Sequence, residues 1–187
     1  MTFFNLAHLS ETSLLVALLA SLGWLVLTDL RRFEVSPLAA GTTGLCIAAV
    51  HVTTATPVLI PALFGLASYG AVLLLTQLYP SRLGKGDATL FALIALASGP
   101  TALLPSALTA FLAALALTTI SLLVRRRKPL SAWRRHIVPA APAAAAAILA
   151  VVTMRTESLT AAIAMLVFIA AIPAAILPTK ARHSPSS

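Results

Sequence analysis

The chain has 187 residues, of which 59% are hydrophobic and only 10% charged, with a mean hydropathy of +0.98, whereas a soluble domain carries about 25% charged residues. So few charges cannot cover a water-facing surface, which excludes a soluble globular domain, a disordered chain and a nucleic-acid binder despite a net charge of +8. A single cysteine also excludes an intrachain disulfide framework or a multi-thiolate metal site. What remains is an integral membrane protein, in which the few acidic residues are the place to look for chemistry.

A transmembrane helix needs roughly 17–25 mostly apolar residues to cross about 30 Å of hydrocarbon. In chain order the sequence offers seven such runs, near 12–30, 37–54, 57–79, 87–104, 105–124, 137–154 and 158–178. Pro37, Pro57, Pro80, Gly99-Pro100, Pro105, Pro129 and the stretch from Arg155 to Ser158 separate them. The runs are continuous and rich in Leu and Ala, without the alternation of barrel strands. The expectation is an all-α membrane protein, a polytopic bundle of six to seven transmembrane helices. It forms one domain over 1–187, with a core at 12–178 and a mobile cytoplasmic tail at 179–187. The fourth and fifth runs are the hardest to separate, since Ser98 to Ser106 carries no charge.

The first run reads as a true span rather than a secretory signal. Met1 to Thr12 has no Lys or Arg and contains Glu11, while Arg31 and Arg32 follow the apolar stretch. With seven alternating spans, one side receives Arg31, Arg32, Arg82, Lys85, Arg125, Arg126, Arg127, Lys128, Arg134, Arg135, Lys180 and Arg182, and the other Arg155 alone. Loops rich in Lys and Arg stay cytoplasmic, so this 12-to-1 division predicts an outside N-terminus and a cytoplasmic C-terminus. The basic run around Arg125 is a topology determinant that also meets anionic lipid.

Several features read as packing. Ala140 to Ala147, broken by Pro142, predicts a tight helix-helix seam, because small side chains let helices approach closely in lipid. Cys46 is a small buried hydrophobe, and Tyr79 and Trp133 suit membrane interfaces. His8, His51, His136 and His183 are scattered and never reach ligand spacing, so no metal site is expected.

The chain has only two Asp, Asp29 and Asp87, and both fall at a membrane boundary, where an ionisable group is costly and a candidate for function. Asp29 ends an inward-running span, and Asp87 opens the span that follows one further hairpin. Both carboxyls therefore face the cytoplasmic leaflet at similar depth, and they become neighbours if spans one and four pack together. Structural alternatives exist for each. Asp29 can pair with Arg32 at i+3, and Asp87 can cap the fourth helix. Glu11, Glu34 and Glu157 fall in flanks or turns and read as solvated.

Gly84-Lys85-Gly86-Asp87 is a GxGD sequence, Asp29-Leu30-Arg31-Arg32 is followed by Pro37, and Val138-Pro139-Ala140-Ala141-Pro142-Ala143 opens span six. In these motifs, and across nearly its whole length, the chain resembles the type IV prepilin peptidases, membrane aspartic proteases that also include the preflagellin peptidases. The resemblance implies Asp29 and Asp87 as catalytic residues, with Gly84, Gly86, Arg31 and Pro37 as motif support. It implies no metal and no organic cofactor. It also implies a prepilin or pseudopilin substrate with a short basic leader, pilus or secretion assembly proteins as further partners, and residence in a bacterial inner membrane. The chain departs from the family in placing Pro37 eight residues after the first Asp, one more than usual, and in carrying Thr89 where a Lys is common. Lacking the cysteine-bearing segment of larger members, it resembles the short form found with tight-adherence pilus systems, which implies cleavage without methylation.

That reading predicts general acid-base peptide hydrolysis, one carboxylate activating water while its protonated partner holds the scissile carbonyl. The rival readings are another intramembrane aspartic protease, a proton-coupled small transporter, and a catalytically silent subunit of a pilus or secretion assembly.

Overall fold

The computed structural model describes residues 2–32, 34–79, 84–126, 138–157 and 159–176. Among these it contains seven helices and no strand: α1 (Thr2–Arg32), α2 (Pro37–Thr53), α3 (Leu59–Leu78), α4 (Lys85–Ser98), α5 (Leu103–Arg126), α6 (Ala141–Thr156) and α7 (Leu159–Ile176). Three stretches are long and apolar enough to cross a membrane, Thr12–Arg32, Leu59–Leu78 and Leu103–Val124, while α2 and α6 are shorter but also apolar. The expected tail at 179–187, the basic stretch from Arg127 to Arg135, and Trp133 lie outside the described residues.

The outer surface is that of a membrane protein. Leu38, Leu45, Leu59, Leu66 and Leu159 are each between 67% and 75% exposed. A chain that is as apolar outside as inside has lipid as its natural solvent, and in lipid each polar group must find its partner within the protein. The buried hydroxyls do so locally. Thr43, Ser98 and Thr118 donate to the carbonyls of Ala39, Ile94 and Ala114, four residues back, and Ser21 donates to Leu18.

Helix ends follow local chemistry and correct several expected boundaries. α1 starts at Thr2, and its apolar stretch runs from Thr12, where the first span is expected to begin, to Arg32. Ser36 caps α2, its hydroxyl accepting from Ala39 N at 3.4 Å, and Pro37 supplies the first turn with a fixed φ. α4 ends at Ser98, six residues short of the expected 104, because Gly99 turns to φ +60° and Pro100 cannot continue the ladder. α4 therefore has 14 residues, about 21 Å at the helical rise, shorter than the roughly 30 Å of a hydrocarbon core. α6 starts at Ala141 rather than 137, with Pro142 in its first turn.

α6 is the central post of the bundle, packed against α1, α4, α5 and α7. Every residue from Ala141 to Val152 is buried, so the alanine run is the helix-helix seam its composition predicts. α4 links this post to α2, α3 and α5, with Phe91 and Phe111 meeting at 5.4 Å between ring centroids across α4 and α5. α3 lies outermost, with only Pro61 and Gly65 buried. Gly65 permits its approach to α4, since a Cβ there would meet the Ala92 carbonyl oxygen at 3.1 Å and Leu96 Cβ at 3.3 Å. Gly65→Leu is expected to push α3 off α4 and cost about 1–3 kcal/mol by overpacking. Gly70→Ala, with nothing within 4 Å of its Cβ, should leave stability unchanged. Thermal unfolding midpoints of the two variants in one detergent check the contrast.

Candidate active site

The two aspartates come to the same end of the bundle by different local routes. Asp29 lies in the last turn of α1 and is 6% exposed. Its Oδ2 accepts a hydrogen bond of 2.8 Å from the backbone N–H of Ala141, 112 residues away, and the Ala140 amide also points to this carboxyl. α6 has no cap of its own, because Ala140 offers no polar side chain and Pro142 has no N–H. The α1 carboxylate thus serves as an N-cap supplied from another helix, next to the positive end of the α6 dipole. Among the described residues Asp29 forms no ion pair, so the expected partnership with Arg32 gives way to the α6 amide, and Arg32 is exposed.

Asp87 is the third residue of α4, and its Oδ2 accepts from the backbone N–H of Gly84 at 2.8 Å. It closes one half of a capping box; the reciprocal half is missing because Gly84 has no side chain. The helix-cap reading of Asp87 is therefore correct in kind, with Asp87 one turn inside the helix instead of at its N-cap. Gly86 has a steric reason. A Cβ there would meet Val35 Cγ2 at 3.1 Å, so the glycine lets the linker between α1 and α2 lie directly on the first turn of α4.

Both carboxyls lie at the same end of the bundle, Asp29 in the last turn of α1 and Asp87 in the first turn of α4, where Gly86 meets the α1–α2 linker at Val35. α1 and α4 have no extensive contact of their own. α2 and α6 lie between them and touch both, and the pair meets at the shared end of this four-helix group. Gly84 is bonded to Asp87 directly. Arg31 is exposed at the end of α1, Pro37 opens α2, and no hydrogen bond among the described residues joins either to the carboxylates. Glu34 and Glu157 are exposed, as expected of solvated acids.

Two apolar grooves lie between the helices of the bundle, one against α4 and one against α1. One, of about 360 Å³, runs between α2, α3 and α4 past Ala40, Gly41, Gly65, Leu66 and Thr89, reaching within two residues of Asp87. The other, of about 210 Å³, lies between α1, α6 and α7 beside Leu30, Pro142 and Phe168, reaching the residue after Asp29. Sequence reasoning missed the Ala140–Ala141 amides as part of the site. The signal was present in the uncapped alanine-proline start of α6, a helix that needs an acceptor from elsewhere.

Compared with family models, curated proteins and solved structures, the chain has no significant match.

The cap makes a specific prediction for stability. Asn retains an oxygen that accepts from the Ala141 amide, whereas Ala removes it, so Asp29→Ala should cost about 1 kcal/mol more than Asp29→Asn. Denaturation of both variants in the same detergent tests this, and equal loss in the two would contradict the cap.

Proposed function

We propose that the chain is a membrane-embedded aspartic endopeptidase that removes the short basic leader of prepilin-like or pseudopilin-like substrates at the cytoplasmic face of a bacterial inner membrane. The observation that carries this reading is the placement of the chain's only two aspartates at the same end of the bundle, each carboxyl held by a backbone N–H. Peptide hydrolysis by two carboxyls requires them in opposite protonation states. The ionised member takes a proton from water as the water attacks the scissile carbonyl. The protonated member hydrogen-bonds that carbonyl and then protonates the leaving amine. The hydrogen bonds from Ala141 and Gly84 hold one oxygen of each carboxyl and thereby aim the groups before substrate arrives.

Orientation follows from the charges. Arg31, Arg32 and Lys85 stand at the aspartate end and Arg155 at the other, so the aspartate end is cytoplasmic by the preference of basic loops for that side. The helices then run in alternating directions, with the N-terminus outside. A substrate whose apolar helix lies in the bilayer, with its basic leader emerging on the cytoplasmic side, presents its cleavage site at that depth.

A second reading draws on the same hydrogen bonds. In a silent subunit the two carboxylates would act only as helix caps. Asn preserves capping and removes acid-base chemistry, so it separates the two. Co-expression with a tagged prepilin should show leader removal by wild type, and both Asp29→Asn and Asp87→Asn should abolish it at normal membrane abundance. Cleavage surviving in both variants would leave the carboxylates as caps alone.

The wider groove provides a place for the substrate's apolar segment. Gly41 lines this groove and nothing lies within 4 Å of a Cβ built there, so Gly41→Phe starts a bulky side chain at the groove wall from open space. It should raise KM roughly tenfold, equivalent to about 1.4 kcal/mol of lost binding, with kcat little changed in a reconstituted cleavage assay.

A further inference from the structure

At the end of the bundle opposite the aspartates lies a second polar cluster, built from α2, α4, α6 and the turn after α2. His51, 1% exposed, is bonded at both ring nitrogens, Nε2 to the Leu96 carbonyl oxygen at 2.8 Å and Nδ1 to Thr56 Oγ1 at 2.9 Å. A carbonyl only accepts, so Nε2 carries the proton, while Thr56 Oγ1 also donates to the His51 carbonyl oxygen at 3.0 Å and so ties the residue to the turn after α2. Arg155, the lone basic residue at this end among the described residues, is turned inward. Its Nη2 donates to the Ser98 carbonyl oxygen at 3.0 Å and its Nη1 reaches Thr56 Oγ1 at 3.5 Å. Its Nε is buried without a partner, a desolvation cost offset by the contacts that the rest of the guanidinium makes.

These contacts lie where α4 stops early. Ser98 is its last residue, and the Ser98 carbonyl accepts from both Arg155 and the Thr101 hydroxyl. A cation at this C-terminal end also complements the α4 dipole. More important is what else joins α4 to α6. Among the described residues the Arg155–Ser98 bond is the only hydrogen bond between them, and the α6 surface from Ala143 to Ala147 is a row of methyl groups. Such a smooth seam packs closely but resists axial sliding weakly, because it lacks deep ridges and grooves. Directional bonds at one end then fix the register of the whole length.

We propose that Arg155, with His51 and Thr56, is a positioning clamp that sets the register of α4 against α6 and α2, and thereby the separation of Asp87 from Asp29 at the far end. The lever is direct. α4 carries Asp87 in its first turn and is held by Arg155 and His51 at its last. α6 holds Asp29 by its first amides and carries Arg155 in its last turn. None of the clamp residues touches the reacting atoms, so their role is geometric. The activity part of the inference rests on the proposed peptidase reading, but the register itself does not.

The test therefore has two readouts on the full-length chain in nanodiscs. With Cys46→Ala as background, nitroxide labels at Arg32→Cys and Lys85→Cys report the spacing of α1 and α4 at the aspartate end by double electron–electron resonance. Arg155→Met should shift or broaden that distance distribution, and Arg155→Lys, which keeps a donor for Ser98, should restore much of it. In the unlabelled chain, Arg155→Met should lower kcat for leader removal on the order of a hundredfold, the penalty of a misplaced catalytic group, with KM little changed and partial rescue by Lys. If Arg155→Met does not accumulate, Thr56→Val, which removes the hydroxyl joining Arg155 to His51, supplies the same comparison. An unchanged distance distribution in a folded variant overturns the clamp, whatever the loss of thermal stability. A wild-type chain that cuts no prepilin would defeat the peptidase reading and leave the label distances to judge the clamp by themselves.

Discussion

The hydrogen bond from the Ala141 amide to the Asp29 carboxylate ties the end of α1 to the start of α6, and the arrangement of the aspartate end depends on it. α6 is buried along its length, so its first turn has no water to satisfy its amides. Asp29 answers that need with a carboxylate that would itself be costly in apolar surroundings without a donor. Each group solves the other's problem. The consequence is that an ionisable side chain is held at a fixed place and direction in the bundle, beside a second carboxylate fixed in the same manner by Gly84 at the start of α4.

Two helix N-termini thus converge with one Asp on each. The partial positive charge of a helix start favours an anion, and each carboxyl is held by a backbone N–H at such a start. This arrangement holds the two carboxyls in fixed positions at one end of the bundle. It also explains the glycines of the GxGD sequence in steric terms. Gly84 offers its amide to Asp87, and Gly86 lets the linker that follows Asp29 lie against α4 through Val35. A helix start without those glycines would hold the α1–α2 linker farther from Asp87.

Much of this was legible in the sequence. The apolar runs, the scarcity of acids and the division of basic residues define a membrane bundle and single out Asp29 and Asp87, and the alanine run marks the buried post. The less legible parts involve contacts between distant residues. Nothing in the neighbourhood of Asp29 names Ala141, because hydrogen-bond partners 112 residues apart leave no periodic trace. Arg32, three residues on, is the obvious local partner and proves to be exposed. His51 and Arg155 look like isolated polar residues until the turns after α2 and α4 bring them together. The early end of α4 is written in Gly99 and Pro100, but the apolar sequence beyond them conceals it. The outcome also differs from a simple pairing of spans one and four, because α2 and α6 carry the contacts between them.

The central claim is that Asp29 and Asp87 face each other at one end of the bundle, and chemical cross-linking measures it most directly. In a Cys46→Ala background, the chain carrying Asp29→Cys with Asp87→Cys is treated in native membranes with a short bis-maleimide. A second chain pairs Asp29→Cys with Ala140→Cys and reports the contact between α1 and α6. A protease site engineered in the α3–α4 connection separates position 29 from positions 87 and 140, so only cross-linked fragments stay together on a denaturing gel after the cut. The account predicts efficient intrachain cross-linking in both pairs and none in the single-cysteine chains. Absence of the product between positions 29 and 87, with the product between positions 29 and 140 present, would contradict the paired site and leave Asp29 as the cap of α6 alone.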